Sequence, residues 1–208
     1  MKLKLYSSDG SKVQDVEVKN FPTLEADKGV KALKQYLIAY MAAQRQGNAS
    51  TMSRNQKHSR SGKKIYAQKG TGRSRHGDKT APQLKGGGVA FGPHPRKYTK
   101  KVNVKTKKLA FLRALTEKAT SGTLSLIEKF DATTAKTKAM NTVLTKIAPK
   151  GKLLIVDDTF SSTAILSARN IERVSMESAS LINAFDLIRY PAIIVSQKGF
   201  EKILSRAV

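Results

Sequence analysis

The sequence predicts an α/β fold: a mainly parallel sheet with helices on both faces, plus a long irregular basic loop inserted between two helices. Three observations predict it. After residue 122, short apolar runs alternate with helical periods, the pattern of βα units. Runs such as Leu153-Leu154-Ile155-Val156 are apolar at every position, which marks strands buried on both faces and hence a parallel sheet. Between Arg45 and Lys108 both periods vanish, while the segment carries eighteen of the 39 Lys and Arg residues and a single acid, Asp78, of the 15 in the chain.

The elements follow in order. Two short strands are expected at Lys2–Tyr6 and Val13–Val18, separated by the turn sequence Ser7-Ser8-Asp9-Gly10. A helix is expected over Lys28–Ala43, where Val30, Leu33, Leu37, Tyr40 and Met41 share one face, and Gly47-Asn48 closes it. Glycine and proline then interrupt every regular period for about 55–60 residues, a length that inside a compact domain is functional or disordered. Helical spacing returns near Lys105, with Leu109, Leu112, Leu115 and Ala119 on one face and Gly122 as the stop. The rest alternates: strand Thr123–Glu128, helix Lys136–Ala148 ended by Pro149, strand Lys152–Val156, short helix Thr159–Arg169, and strand Ile171–Met176. A short helix capped by Ser180 and reaching Arg189, strand Ala192–Val195 and helix Gln197–Val208 complete the order. One globular α/β domain is thus expected from residues 1-46 and 104-208, with 47-103 as an extended basic loop.

Charge narrows the function. Seventeen of the net +24 charges lie between Arg45 and Lys108. That segment has too little apolar surface to offset the entropy of ordering it, and calls for a polyanion. From about Gly47 to Tyr98 it is expected to be disordered in the free protein. An anionic membrane would need a basic amphipathic helix, which the glycines and prolines forbid. No apolar run reaches the roughly 20 residues of a membrane helix, and Met1-Lys2-Leu3-Lys4-Leu5-Tyr6 reads as a strand rather than a secretory leader. There is no cysteine, so no disulfide framework or thiolate chemistry is expected, and a reducing, cytoplasmic compartment fits.

Enzymatic readings fail on spacing. Gly70-Thr71-Gly72 lacks the third glycine of a dinucleotide fingerprint, since position 75 is Arg75, and no strand precedes it. Gly72 and Gly77 have phosphate-loop spacing, but Asp78-Lys79 follows where Lys-Ser/Thr is needed. Asp157-Asp158, after an apolar strand, reads as a strand-end turn or helix cap rather than a metal-holding pair. His58, His76 and His94 are widely spaced, without cysteine or carboxylate partners, and all lie in the irregular segment. They suit bases or phosphates better than zinc or general-base work. No enzyme, metal or cofactor is expected.

The basic segment itself points to RNA. It is internal and bounded by helices. Gly70, Gly72, Gly77 and the Gly86-Gly87-Gly88 triplet suit close backbone approach to a ligand. Tyr66, Phe91 and Tyr98 are interleaved with the cations, as expected where bases stack. Nothing in it makes a major-groove reading helix, so RNA is favoured over duplex DNA. About 30 residues out and 30 back extend at most roughly 100 Å, against a radius of gyration of about 15 Å for the globular part.

Ser61-Gly62-Lys63-Lys64, Gln68-Lys69-Gly70-Thr71-Gly72-Arg73-Ser74-Arg75 and Gly86-Gly87-Gly88-Val89-Ala90-Phe91-Gly92-Pro93-His94-Pro95-Arg96 resemble the extended loop of the bacterial-type large-subunit ribosomal protein L four family. Lys100-Lys101, Lys107-Lys108, Ala164-Ile165-Leu166-Ser167-Ala168-Arg169-Asn170 and Asp186-Leu187-Ile188-Arg189-Tyr190 carry the resemblance past the loop. It implies a structural constituent of the large ribosomal subunit, a primary binder of 23S-type rRNA acting early in assembly. Neighbouring large-subunit proteins would be further partners. The loop would help line the polypeptide exit tunnel, with Gly62, Lys63, Lys64 and Tyr66 at its tip beside the nascent peptide. One departure stands out: the family usually has Lys-Lys-Pro-Trp-Arg-Gln where this chain has Lys63-Lys64-Ile65-Tyr66-Ala67-Gln68. The alternatives are a free-standing RNA-binding translational regulator, an RNA chaperone, or an α/β nucleotide enzyme, the last disfavoured by the missing phosphate loop.

The expected rRNA-binding set follows by residue type. Arg45, Arg54, Lys57, Arg60, Lys63, Lys64, Lys69, Arg73, Arg75, Lys79, Lys85, Arg96, Lys97, Lys100, Lys101, Lys107 and Lys108 would neutralise phosphates. Gly70, Gly72, Gly86, Gly87 and Gly88 would admit close backbone approach, and Tyr66, Gln68, His76, Phe91 and His94 would meet bases or phosphates.

Overall fold

A computed structural model describes residues 1–18, 21–25, 27–57, 60–130 and 135–207. His58 and Val208 therefore lie outside the described residues. Among these, the strands are β1 (Lys2–Tyr6), β2 (Val13–Glu17), β3 (Leu124–Ile127), β4 (Leu153–Asp157), β5 (Val174–Ser178) and β6 (Ala192–Ser196). The helices are α1 (Val30–Ala43), α2 (Val104–Thr120), α3 (Thr137–Ile147), α4 (Ser162–Ala168), α5 (Ala184–Arg189) and α6 (Gln197–Ala207). The chain divides into two compact units, one formed by Met1–Met41 with Lys100–Val208, the other by Ala42–Thr99.

The first unit is built on one six-stranded sheet in the order β2-β1-β3-β6-β4-β5. β1 and β2 form an antiparallel hairpin with Leu3 opposite Val16. Every other pairing is parallel, as for Leu126 beside Val195 and Ile155 beside Ile194. Alternate residues of one strand serve opposite faces. Leu154, Val156, Ile193, Val195, Leu124 and Leu126 join Leu33 of α1, Leu115 of α2, Leu187 of α5 and Phe200 of α6 in one core. Leu153, Ile155, Ile194 and Ile127 join Met140 and Leu144 of α3 and Ala168 of α4 in the other. The central strands need apolar residues at consecutive positions because each face has its own helical layer.

Several boundaries shift from expectation by one to three residues, as where the helix expected from Thr159 starts at Ser162, and two shifts have a local cause in the hydrogen bonding. The fifth strand begins at Val174, not Ile171, because Ile171–Arg173 form a turn: Ile171 N–H donates to Ala168 O (3.0 Å) and Val174 N–H to Ile171 O (2.9 Å). The helix after it is capped by Asn183 rather than Ser180. The Asn183 side chain accepts from Phe185 N–H (2.9 Å) and Asp186 N–H (3.2 Å), while Ser180 Oγ bonds Ser178 Oγ (3.0 Å). Leu181 and Ile182, which mimic a helical start in sequence, lie before the helix, with Ile182 fully buried in the core.

At the carboxyl ends of β4 and β6 the chain runs from strand into α6 without a loop. Ser196 makes this junction. Its hydroxyl donates to the buried Asp157 carboxylate and accepts from Gly199 N–H (3.0 Å), capping α6. Asp157 also accepts from Asp158 N–H (2.7 Å), and Asp158 pairs with Lys202. Both carboxylates are engaged in holding the junction, as the strand-end reading expected.

The basic segment leaves at the end of α1 and returns at the start of α2, and both helices belong to the same face of the sheet. Its two ends are thus carried by one packed layer. Leu154 of β4 belongs to the core on that face and has no exposed surface. Leu154→Ala is expected to cost about 2–5 kcal/mol through lost transfer energy and a residual cavity. Urea unfolding would show it as a lower midpoint with an unchanged slope; an unchanged midpoint would contradict this packing.

Candidate nucleic-acid interface

Among its described residues, the unit Ala42–Thr99 has almost no regular secondary structure beyond the end of α1 and a 3-10 turn at Arg54–Gln56. Two limbs of chain instead pair irregularly. Arg96 N–H donates to Gly47 O (3.0 Å), Thr51 N–H to Pro93 O (3.1 Å), Val89 N–H to Met52 O (3.0 Å) and Ile65 N–H to Gly77 O (2.9 Å). Past the last of these, the Tyr66 hydroxyl donates to Ser74 O, and the chain reverses between them. Gly70 (φ +89°) and Gly72 (φ +65°) supply the left-handed backbone of that reversal. The reversal is centred beyond Lys63-Lys64, which lie on the outgoing limb and are both exposed. Between Thr80 and Gly88 the returning limb makes a side loop closed by Gly88 N–H to Thr80 O (2.9 Å).

The glycines divide into two groups. A Cβ on Gly87 would lie 2.0 Å from Ala81 O, on Gly88 2.4 Å from Arg54 N, and on Gly92 1.9 Å from Thr51 Oγ1. These close approaches are to the chain itself: Gly87 to backbone of its own side loop, Gly88 to backbone of the opposite limb, and Gly92 to a side chain of that limb. Gly86 similarly lies against the Arg60 guanidinium. Gly62, Gly70 and Gly72 have open space around them and can admit a ligand's backbone.

Electrostatics separates internal from outward groups. The unit holds thirteen Lys and Arg residues against Asp78. Arg54 grips that carboxylate through Nη2 (2.8 Å) and Nε (3.2 Å), and Thr80 donates to it from Oγ1 (2.8 Å) and N–H (3.2 Å). The Arg54 guanidinium, aided by Thr80, holds the Asp78 carboxyl below its usual range. The lone acid is therefore used within the unit. Among the described residues, no other cation of the unit has an ion pair. Arg60 donates to Lys79 O (3.4 Å) and Lys64 to Gln68 Oε1 (2.6 Å), while Lys69, Arg73, Arg75, Lys79, Lys85, His94 and Lys97 are exposed and Lys57 is half-buried.

The aromatics are likewise divided. Tyr98 has the Arg45 guanidinium 3.8 Å and the Arg96 guanidinium 4.6 Å from its ring centroid. Hydrogen bonding from Arg96 and the charges of Arg96 and Arg45 hold its phenol below the usual range. Tyr66 is half-buried edge-to-face with His76 (6.3 Å), whose Nε2 lies 2.9 Å from Ser74 Oγ. Phe91 alone of the three expected stacking rings is fully exposed. Sequence reading missed Ser74 as a group that joins the limbs, Thr80 as a local partner of Asp78, and Asp78 as the partner of Arg54. The signal was present in Asp78-Lys79-Thr80, an Asp two residues before a hydroxyl, which favours such local bonds.

In the first unit, Lys100 and Lys101 are exposed ahead of α2. Lys107 and Lys108, exposed on the first turns of α2, border a cleft of about 230 Å³ with Tyr36 and Phe111. Among the described residues, no group of three or more His, Cys, Asp and Glu is placed to hold a metal, and no helix is long and apolar enough to cross a membrane. The arrangement offers exposed cations, an exposed ring and open glycines on a segment stapled to itself, which suits a phosphate-rich ligand.

Comparison with known proteins agrees over nearly the whole length. The model of the ribosomal protein L4/L1 family matches residues 22–206, which include the entire basic segment. The chain is 34% identical over 202 residues to the large ribosomal subunit protein uL4 of Brevibacillus brevis, covering 97% of each. It is 36% identical over 205 residues to the uL4 of Spiroplasma kunkelii, covering 98% of each. It is 37% identical over 206 residues to that of Halothermothrix orenii, covering 97% of each.

The limb pairing is open to test through Asp78. A lowered carboxylate pKa means that the Arg54 contact is present above the folded-state value and lost as pH falls through it, below the ordinary aspartate range. At neutral pH the contact is intact, and Asp78→Asn is expected to speed limited tryptic cleavage after Arg54 severalfold. An unchanged cleavage rate would show that this pair does not hold the limbs together.

Proposed function

The chain belongs to the ribosomal protein L4/L1 family, whose members are structural rather than enzymatic, and on that premise we propose that it is a constituent of the large ribosomal subunit that binds the subunit's rRNA through residues 42–99 and the lysines that follow. The observation that carries this reading is the second unit itself. It holds thirteen cations and one acid that is already paired, and among the described residues it contributes none to either apolar core. Such a unit gains most where RNA strands crowd together and phosphates surround it.

The residues divide the work. Lys69, Arg73 and Arg75 neutralise phosphates around the chain reversal, and Lys79, Lys85 and Lys97 do so along the returning limb. Phe91 stacks on an unpaired base. Gly62, Gly70 and Gly72 let RNA approach the backbone. Arg54, with Asp78, and Arg45 and Arg96, with Tyr98, hold the shape in which those groups are presented. The protein enters early in assembly, before the RNA has closed, and neighbouring large-subunit proteins surround its globular unit. Gly62, Lys63, Lys64 and Tyr66 border the exit channel and meet the nascent peptide.

RNA affinity is expected to be steeply salt-dependent. About 6–10 phosphate contacts imply a loss of roughly 10³–10⁵ in affinity between 50 and 200 mM salt. A log–log slope shallower than about −3 would move the weight from charge to stacking and shape.

Two variants separate assembly from channel function. Lys63→Glu reverses one of many cations and is expected to leave subunit assembly intact on sucrose gradients while changing sensitivity to channel-binding macrolides or nascent-chain stalling. Deleting Met52–Arg96 is expected to cripple assembly, because it removes most of the cationic surface. Normal assembly of the deletion, together with an unaltered response of Lys63→Glu, would sink the proposal.

A further inference from the structure

The cationic surface extends beyond the residues expected from sequence. Lys31 and Lys34 of α1 lie three residues apart, on one helical face. With Lys100 and Lys101, from the extended stretch before α2, they border one open groove of about 460 Å³. All four lysines are exposed. The floor is apolar: Ala39 and Val102 are buried, and Ile38 is 43% exposed. Among the described residues, no acid lies within ion-pair distance of any of the four ammoniums. Like charges gathered round a concave, low-dielectric surface repel one another and focus a positive potential outward. Their convergence is unfavourable in isolation, and a bound polyanion reverses its sign.

We propose that this groove is a second RNA site, in which Lys31, Lys34, Lys100 and Lys101 hold the phosphodiester backbone of an rRNA strand. The inference rests on the rRNA-binding function proposed above and adds α1 to it. Lysine is a compact point charge that meets a phosphate from many directions, and it positions a strand without reading bases. The groove contains no aromatic ring and one side-chain amide, Gln35, so it recognises backbone rather than sequence. Its apolar floor can lie against ribose faces. Ammoniums set round an apolar floor match the alternation of phosphate and ribose along an RNA strand, and that match favours RNA over an acidic peptide.

The test measures binding of the full chain to large-subunit rRNA fragments between 50 and 200 mM salt. Lys31→Gln/Lys34→Gln is expected to weaken binding to every fragment alike and to make the log–log slope shallower by about 1.4–1.8, the loss of two phosphate contacts. Lys31→Arg/Lys34→Arg keeps the charges and is expected to keep the slope. Thermal melts verify that each variant is folded. Lys138→Gln/Lys146→Gln removes the same charge from α3, which packs with the other core, and is expected to leave the slope unchanged. With wild-type binding intact, an unchanged slope in the α1 variant overturns the groove alone, as does an equal loss in the α3 variant. A polyglutamate peptide that displaces RNA from the wild type at matched charge would assign the groove to acidic protein and overturn it too. Absence of rRNA binding by the wild type would bring down the function proposed above along with the groove.

Discussion

Cations with no counter-ion inside the chain cannot be folded into a core, and this constraint organises the molecule. Moving an ion into a low-dielectric interior costs several kcal/mol even after relaxation. The two cores flanking the sheet are accordingly almost wholly apolar. Their few buried polar side chains are hydrogen-bonded within the protein: Thr116 to Leu112 O and Pro22 O, Ser167 to Ala164 O, and Ser196 to Asp157. The surplus positive charge is left to a segment that no core could accept. That segment is shaped by backbone pairs and glycine contacts because apolar burial was not open to it.

The division between units was legible because it depends on local composition. Consecutive apolar residues such as Leu153-Leu154-Ile155-Val156 announce strands with two covered faces, and β4 has both. The break in periodicity after Ala43 is equally local. What stayed hidden depends on contacts between distant residues. Arg54 and Asp78 are 24 residues apart, and nothing in either neighbourhood specifies the other. The Gly86-Gly87-Gly88 triplet could be recognised as a place of close approach, but the sequence could not say that Gly88 meets the Arg54 backbone of the opposite limb. Lys31 and Lys34 drew no notice in the sequence, since the lysines opposite them come from residues nearly seventy positions later.

The residue types also carry double duties that composition conceals. Arg45, Arg54 and Arg96 count as three cations in the sequence, yet in the structure their guanidiniums are turned on Asp78 and Tyr98. Exposed lysines such as Lys63, Lys69 and Lys85 make no comparable commitment. Planar, multidentate arginine suits internal joints between limbs that share no core, while flexible lysine suits a partner whose phosphates lie at no fixed angle. A reading by net charge alone treats the two as equivalent and overestimates how many groups are free.

Because the basic segment is anchored at both ends by helices of one packed layer, it has no loose end. A rope tied at both ends cannot be threaded through a finished ring; it can only be pushed through as a doubled strand, or have the ring built around it. The limb pairing makes the doubled form the resting one, roughly twice as thick as a single chain. Any ring that holds this segment must therefore be wide enough to pass two paired limbs, or must close once the segment is in place.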